Sequence, residues 1–598
     1  MTSSPRYAIR PLVREDVYTD RQEFLDYFYH YALNAATRRS MSTVLLGQRR
    51  MGKTEIFKRV VNRLFFEQDY TDPQAVVPVY YSFQDAKIDW ENFALQYVEN
   101  FIRWYAAFRM RKVELLSSEI KREYLLDYIE QNMTISKGFS IAFQTLHAII
   151  DQDITLPANR AIHLPRTVSD FDESTIVMFL DEFQNTRLPH YDFDVVGFMH
   201  EAVESPTCPH FVTGSAMSIL AKEILGRGSL FGRFDSDPIG PMTAYWGAEL
   251  VRRAAACYEV PVEELVVPIV AHRCGGNPFY ITAVIQQAAK QKKSIEDEET
   301  INALLAVDLS SGFIWAELND QVMRWIQRIN EYGITKWVLY LSVLEEGERI
   351  DPEHIQQQLE EKDGTIVSLD KIRDVLIRLS RGDLLEYMEL GGWFRKIDDP
   401  ILLDFLKAWG KFEVEGQRHA KVIINTIRQY ERLERQIHDQ KGYLAEIYLS
   451  QILWNGQRKT FPGRYFHSVD DVTLPDRFYD VLHRFRIGAS ANSEIDVYAS
   501  TGMETWICES KWWETRRVGK TVVTQFLELL ERLKDFEGRE YFEGKRPVRL
   551  HPWLFAHNGV TREAEKLLRR HHIYWSTRAD LDALIQLTGL RALPNYDV

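Results

Sequence analysis

Eight consecutive residues, Gly47, Gln48, Arg49, Arg50, Met51, Gly52, Lys53 and Thr54, fulfil the pattern GxxxxGK[ST] in full. Each part of the pattern has a chemical task. The glycines let backbone N–H groups curl around phosphate oxygens at a helix N-terminus, Lys53 reaches the β- and γ-phosphates of a nucleoside triphosphate, and the Thr54 hydroxyl can ligate Mg²⁺. Such a loop needs an acidic residue at the end of a buried strand. STIVMFLDEFQN supplies Asp181 after the apolar run Ile176 to Leu180, placed to hold the magnesium through water. Glu182 follows, placed to polarise the attacking water. HFVTGS then gives a polar strand end, Thr213 or Ser215, where a group sensing the γ-phosphate would lie.

A second constellation sits near the other end of the chain, in SEIDVYASTGMETWICESKWW, which holds Asp496 and then Glu509 and Lys511 in an ExK arrangement. A hairpin with a two- or four-residue loop around Thr501-Gly502 pairs position 496 with 507. Side chains alternate with period two, so Asp496 then shares a face with Glu509 and Lys511. A three-residue loop would destroy this. The diagonal separation of about 7 Å or less lets both carboxylates approach one cation. Two hard oxygen ligands suit Mg²⁺, with Mn²⁺ a second admissible ion. Lys511 would orient or deprotonate a hydrolytic water, or stabilise the pentacovalent charge of a phosphodiester under attack. Upstream, GYLAEIYLSQIL reads as an amphipathic helix presenting Glu446 as an additional ligand. Trp512 and Trp513 either stack on nucleic acid or serve the core. His483, His571 and His572 lack a partner at metal-ligand spacing and are read as solvated.

The elements that must position these groups follow from the apolar pattern. Thr43 to Leu46 leads as a strand into the glycine loop, and Ile56, Val60 and Leu64 recur at helical spacing after it. Further β-type runs at Ala75 to Phe83, Ser174 to Asp181 and His210 to Thr213 alternate with helical material. That order predicts a mostly parallel sheet covered by helices. The stretch from Asp85 to Asp170 is long for one crossover and is expected to be a helical insertion. Helical stretches at Thr335 to Leu344, Pro352 to Leu359 and Ser368 to Ser380 precede an alternating pair, Leu384 to Met388 and Trp393 to Ile397, around Gly391 and Gly392. Three helices and a glycine hairpin resemble a winged helix.

At 598 residues the chain should divide into roughly three or four domains. Apolar residues make up 45% and charged residues 27%, a globular balance. Four scattered cysteines without CxxC spacing suggest neither a disulfide framework nor a thiolate zinc site, and no apolar stretch reaches membrane-span length. A cytoplasmic chain with no membrane partner is expected. The net charge of −13 is uneven: from Glu431 onward Lys and Arg number 25 against 24 Asp and Glu, so the acidity belongs to the front. GxSxG and HExxH are absent, which removes serine-hydrolase elbows and zincins.

GQRRMGKT, FLDEFQN, VTGS, GSLFGRF and HRCGGNPFYI together make residues 15 to 400 resemble the AAA+-related STAND ATPases, and more closely the archaeal-type ATPase family. The resemblance implies an ATP switch or motor with a helical lid and a winged helix. It also implies that Pro278 senses the nucleotide from the lid and that Arg233 acts as an arginine finger, with Arg227 competing for that role. Over about residues 440 to 590, helix Glu446, strand Asp496 and strand Glu509-x-Lys511 resemble the PD-(D/E)xK nuclease superfamily, in its restriction-endonuclease and Holliday-junction-resolvase flavour.

The expected architecture is a multidomain α/β chain. A P-loop ATPase core of the additional-strand, catalytic-glutamate kind spans 1–243 with its insertion around 85–170, followed by a helical lid at 244–332, a winged helix at 333–410, a helical connector at 411–440 and a restriction-endonuclease-like α/β domain at 441–598. The expected function is an ATP-dependent nucleic-acid-processing enzyme in which the ATPase controls a Mg²⁺-dependent DNA endonuclease, in prokaryotic defence or genome maintenance. DNA is the expected partner, with RNA a second, and paired cutting of two strands implies a homo-oligomer. The alternative is a non-cleaving ATP switch that binds DNA or a partner through the winged helix and carries a degenerate rear domain.

Overall fold

The structure, a computed structural model, describes residues 7–84, 88–187, 193–214, 230, 232–329, 332–345, 347–388, 392–418, 421–423, 426, 440–486, 494–513, 516–540 and 549–592. The chain is α/β. Its front sheet contains β1 (Ser42–Leu46), β2 (Val77–Ser82), β3 (Ile176–Asp181), β4 (His210–Thr213) and β5 (Phe234–Pro238). Their order is β2-β3-β4-β1-β5 and every pairing is parallel. β1 and β3 are buried along their whole length, as continuous apolar runs in a sheet covered on both faces should be. Parallel pairing brings the carboxyl ends of β1 and β3 to one edge, and both chemical motifs start there. The helix Lys53–Glu67 follows β1 directly, and four helices, Trp90–Met110, Arg122–Asn132, Lys137–Ile150 and Pro157–Asp172, occupy the region between β2 and β3.

A second core runs from Met242 to Trp409. It joins the helices Ala244–Cys257, Val267–Arg273, Pro278–Gln291, Glu298–Ser311 and Phe313–Ile329 to the helices Tyr332–Leu344, Pro352–Asp363, Leu369–Arg381 and Pro400–Glu413. The last group surrounds a small antiparallel sheet of β6 (Arg349–Ile350), β7 (Glu386–Met388) and β8 (Trp393–Arg395), ordered β6-β8-β7. One stretch, Glu298–Gln327, is apolar and long enough to cross a membrane by length and composition. It is bent at Gly312, where a Cβ would meet Asp308 Oδ1, and Leu305, Leu309, Leu318 and Val322 are packed into this core.

The rear unit has a two-stranded ribbon, β9 (Thr460–Phe461) with β10 (Val472–Thr473), and a five-stranded mixed sheet. That sheet contains β11 (Asp480–Arg486), β12 (Glu494–Ser500), β13 (Glu504–Lys511), β14 (Arg549–Ala556) and β15 (Tyr574–Ser576) in sequential order. The first three strands are antiparallel and β13, β14 and β15 are parallel. Val497, Ala499, Trp506, Cys508, Trp553 and Phe555 gather with the helix Gln440–Asn455, whereas Ile507, Leu554 and Ala556 gather with the helices Lys520–Glu540 and Arg562–Arg570. Alternate side chains of β13 and β14 thus feed two cores.

The hairpin register corrects an expectation. Val497 pairs with Cys508 and Ser500 with Thr505, so the register places Asp496 opposite Glu509 and not opposite Ile507. The cause is the turn. Thr501 N donates to Glu504 O at 2.9 Å, Thr501 Oγ1 accepts from Glu504 N at 3.0 Å, and Gly502 sits at φ +78°, which closes a four-residue loop. A shift of two residues keeps the parity, and Asp496, Glu509 and Lys511 remain on one face.

Candidate functional sites

At the front site, Gly52 is left-handed at φ +93° and precedes the helix Lys53–Glu67, a conformation that favours glycine. Gly47 is required for a different reason, since a Cβ there would lie 2.4 Å from Ile239 O. Lys53 Nζ donates to Gly47 O and Gln48 O, both at 2.6 Å, and is almost completely buried. Burial lowers its pKa to about 8, against the pull of Glu182, Asp181 and Asp383. Phosphate oxygens entering the loop would oppose that shift, so the cradle fits an anion.

Asp181 accepts from Tyr80 Oη at 2.7 Å and from Glu182 N at 2.9 Å. Burial raises its pKa first and Glu182 second, while hydrogen bonds from Tyr80 and Thr54 pull it down. Thr54 and Asp181 therefore meet, as the two protein groups of a Mg²⁺-nucleotide site must. Glu182 follows at φ +53°, a left-handed conformation uncommon outside glycine, and its carboxylate accepts from Gln184 Nε2. Tyr80 was not legible as part of this site; its only sequence signal is a polar tip on an otherwise buried strand.

Thr213, expected as a γ-phosphate sensor, ends β4. Its hydroxyl is buried and donates to Leu45 O at 3.2 Å, so it is committed to the sheet interior. Ser215 and Arg227 lie outside the described residues. Arg233 pairs with Glu204 at 2.8 Å within the same chain. Pro278 opens its helix behind Asn277, whose side chain accepts from Phe279 N at 2.9 Å. Gly276, at φ +66°, approaches Met242 so closely that a Cβ would lie 2.3 Å from Met242 O. Phe279 lies under the Arg50 guanidinium at 4.9 Å, and Arg50 Nε donates to Glu317 Oε1 at 3.0 Å. The segment 244–329 thus touches the phosphate loop through Arg50, a position that the motif leaves unspecified.

At the rear site, Asp496 Oδ2 accepts from Ser510 N at 2.6 Å, and Glu509 Oε1 accepts from Lys511 Nζ at 2.6 Å. Glu509 Oε2 is buried and has no hydrogen-bond partner. Burial raises the pKa of Asp496, with repulsion from Glu509 and Glu446 adding to it. Burial also raises that of Glu509, against the pull of Lys511. Two destabilised carboxylates with an open oxygen fit a divalent cation. Lys511 is 25% and Glu509 16% exposed, so the pair reaches solvent. Among the described residues, no three His, Cys, Asp or Glu side chains are assembled to hold a metal, so a cation here would complete its shell with water or substrate.

Glu446, the expected further ligand, is engaged by two basic neighbours in this structure. Its Oε2 lies 2.8 Å from His483 Nε2 and accepts from Arg484 Nε at 3.1 Å. Burial alone would raise its pKa, but His483 and Arg484 outweigh that and hold it below the usual carboxylate range. His483 is accordingly not solvated: it is 15% exposed and its ring meets Tyr443 at 4.9 Å. Arg484 stands at φ +53° inside β11, opposite Asp496 by register, with its guanidinium 4.7 Å from the Tyr443 ring. Both residues escaped sequence reasoning because their partner lies on a helix distant in the chain. Trp512 packs on His557 and Phe555 and under Arg578, while Arg516 covers Trp513 at 3.7 Å. Neither ring is bare.

No family model matches the chain and no curated protein matches it. Among solved structures, it is similar to the Walker-type ATPase PABY2304 of Pyrococcus abyssi, at 16% identity and TM-score 0.43 over 67% of this chain and 99% of that one. It is also similar to the Aeropyrum pernix ORC1 protein in complex with DNA, at 13% identity and TM-score 0.34 over 67% and 95% of the two chains. The Thermotoga maritima RuvB Holliday junction branch migration motor matches at 12% identity and TM-score 0.29, over 63% and 92%. Likenesses of this size carry no functional argument, and the side chains carry it instead.

Proposed function

We propose that this chain is an ATP-dependent nucleic-acid-processing enzyme in which a P-loop ATPase, closed by the helical lid at 244–329, controls a Mg²⁺-dependent DNA endonuclease of the PD-(D/E)xK type in the rear unit. The front half of the reading rests on Lys53, Thr54, Asp181 and Glu182 converging at one sheet edge. Lys53 and the loop backbone would bind the phosphates, Thr54 and Asp181 would hold Mg²⁺, and Glu182 would orient the attacking water. The observation that carries the rear half is the buried, unpartnered Glu509 Oε2 beside Asp496. A bound Mg²⁺ would supply Lewis acidity at the scissile phosphate. Asp496 and Glu509 would fix its position, and Lys511 would orient the water or neutralise charge gathering on the phosphate.

One observation favours the rival, a non-cleaving ATP switch: Glu446 is engaged by His483 and Arg484 and not by the carboxylate pair. Incubating purified protein with supercoiled plasmid, linear DNA and RNA, with and without ATP and with Mg²⁺ or Mn²⁺, separates the two. Metal-dependent DNA cleavage is expected. Binding without cleavage under every condition would leave the switch, and cleavage of RNA alone would change the substrate.

A further inference from the structure

The rear unit is seated on the segment that touches the phosphate loop. Tyr245, on the helix Ala244–Cys257, is buried among the core residues of the rear unit, edge-on to Tyr448 at 5.9 Å. Thr243 Oγ1 donates to Gln451 Oε1 at 2.7 Å, and Arg591 donates to Tyr245 Oη at 3.0 Å and to Glu249 Oε1 at 3.1 Å. Gln451 lies on the helix that carries Glu446.

The helix Val267–Arg273 extends this seat to the neighbours of Glu446. The His272 ring meets Tyr443 edge-on at 5.4 Å and His483 at 6.4 Å, and His483 touches Glu446. Immediately after this helix, Gly275 and Gly276 stand at φ +58° and +66° before Asn277 and Pro278, and Phe279 reaches Arg50 of the phosphate loop. One short stretch, His272 to Phe279, therefore reaches the phosphate loop at one end and the neighbours of Glu446 at the other. Beside it lies a cavity of about 440 Å³ lined by His272, Arg273, Gly275, Asp398 and Asp399, which gives the ring room to withdraw.

We propose that His272 is a positioning residue for the rear site: it holds His483 on Glu446, keeping that carboxylate paired beside Asp496 and Glu509, and nucleotide binding withdraws it so that Glu446 joins them on the cation. This rests on the nuclease reading above. Its physical content is a two-state segment whose balance is biased from both ends, and couplings of this kind are typically about 5–150-fold.

The test is plasmid nicking by the full chain, titrated with Mg²⁺ in the presence and absence of ATP, in wild type, His272→Ala and His483→Ala. Without nucleotide, both variants should nick at the rate of ATP-bound wild type and reach half-saturation at about fivefold or more lower Mg²⁺, with ATP turnover unchanged in His272→Ala. A loss of packing alone would not lower the Mg²⁺ requirement. His483→Ala removes the same contact from the other side, leaving Arg484 as the partner of Glu446, should His272→Ala fail to fold. A folded variant with the wild-type ratio of nicking with and without ATP overturns the proposal, as does loss of nicking in both. If wild type itself never cuts, the nuclease reading falls; cutting with an unaltered ratio refutes this proposal alone.

Discussion

The two five-stranded sheets hold their acidic groups in opposite ways. At the end of β3, Asp181 is 2% exposed and both its oxygens are occupied, one by Tyr80 and one by its neighbour's N–H. At the end of β13, Glu509 has one oxygen on Lys511 and one on nothing. In the proposed reading the front carboxylate would receive a cation through water. The rear carboxylates are left in a state that a directly bound cation would relieve, because a buried anionic oxygen without a partner is costly. The difference is that the front carboxylate is satisfied by its own fold, whereas the rear pair leaves Glu509 Oε2 for what binds it in the proposed reading.

That contrast can be broken most severely at the front. Lys53→Ala should lower ATP turnover by about 10²–10³-fold, the cost of deleting one preorganised charge from a reacting centre, as read by phosphate release. Retained turnover would place the nucleotide elsewhere. Tyr80→Phe removes the tyrosine hydroxyl from Asp181, leaving Thr54, and should weaken Mg²⁺-dependent turnover about tenfold, as expected for a hydrogen bond to a charged group. An unchanged rate would mean that Asp181 is positioned without it.

The smallest effect sharpens the rear side. A carboxyl whose pKa is raised on folding holds its proton more tightly in the folded chain, so its contribution to stability falls as pH rises from the ordinary carboxylate range through the raised value. Asp496 faces Glu509, Glu446, Lys511 and the Ser510 N–H, and burial with the two like charges dominates. Asp496→Asn should therefore stabilise the metal-free protein by about 1–2 kcal/mol at about pH 8, with the difference shrinking toward about pH 4. Thermal melting across pH checks this, and added Mg²⁺ should shrink the difference by stabilising wild type alone. A variant less stable than wild type at about pH 8 would show that Asp496 is satisfied in the folded chain.

Legibility followed covalent spacing. The phosphate loop and the strand ending in Asp181 could be read because their chemistry is set by neighbours in sequence, and β4 spans the β-type run His210 to Thr213. The rear face was readable because the side-chain period is two: the turn over Thr501 to Glu504 shifted the register by two residues, and Asp496 stayed beside Glu509. What could not be read depends on contacts between distant segments. Nothing near Thr213 announces that Leu45 O takes its hydroxyl, and nothing near His483 announces Glu446 or His272. Arg50 is likewise free in the motif and acquires Glu317 only when the second core folds against the first.

The central claim is that Asp496, Glu509 and Lys511 form a cation-dependent cleaving centre separate from the nucleotide site. Mg²⁺-dependent plasmid cleavage and ATP turnover measured side by side in wild type and Asp496→Ala test it most directly. Cleavage should vanish in the variant while ATP turnover persists; cleavage at the wild-type rate would contradict it.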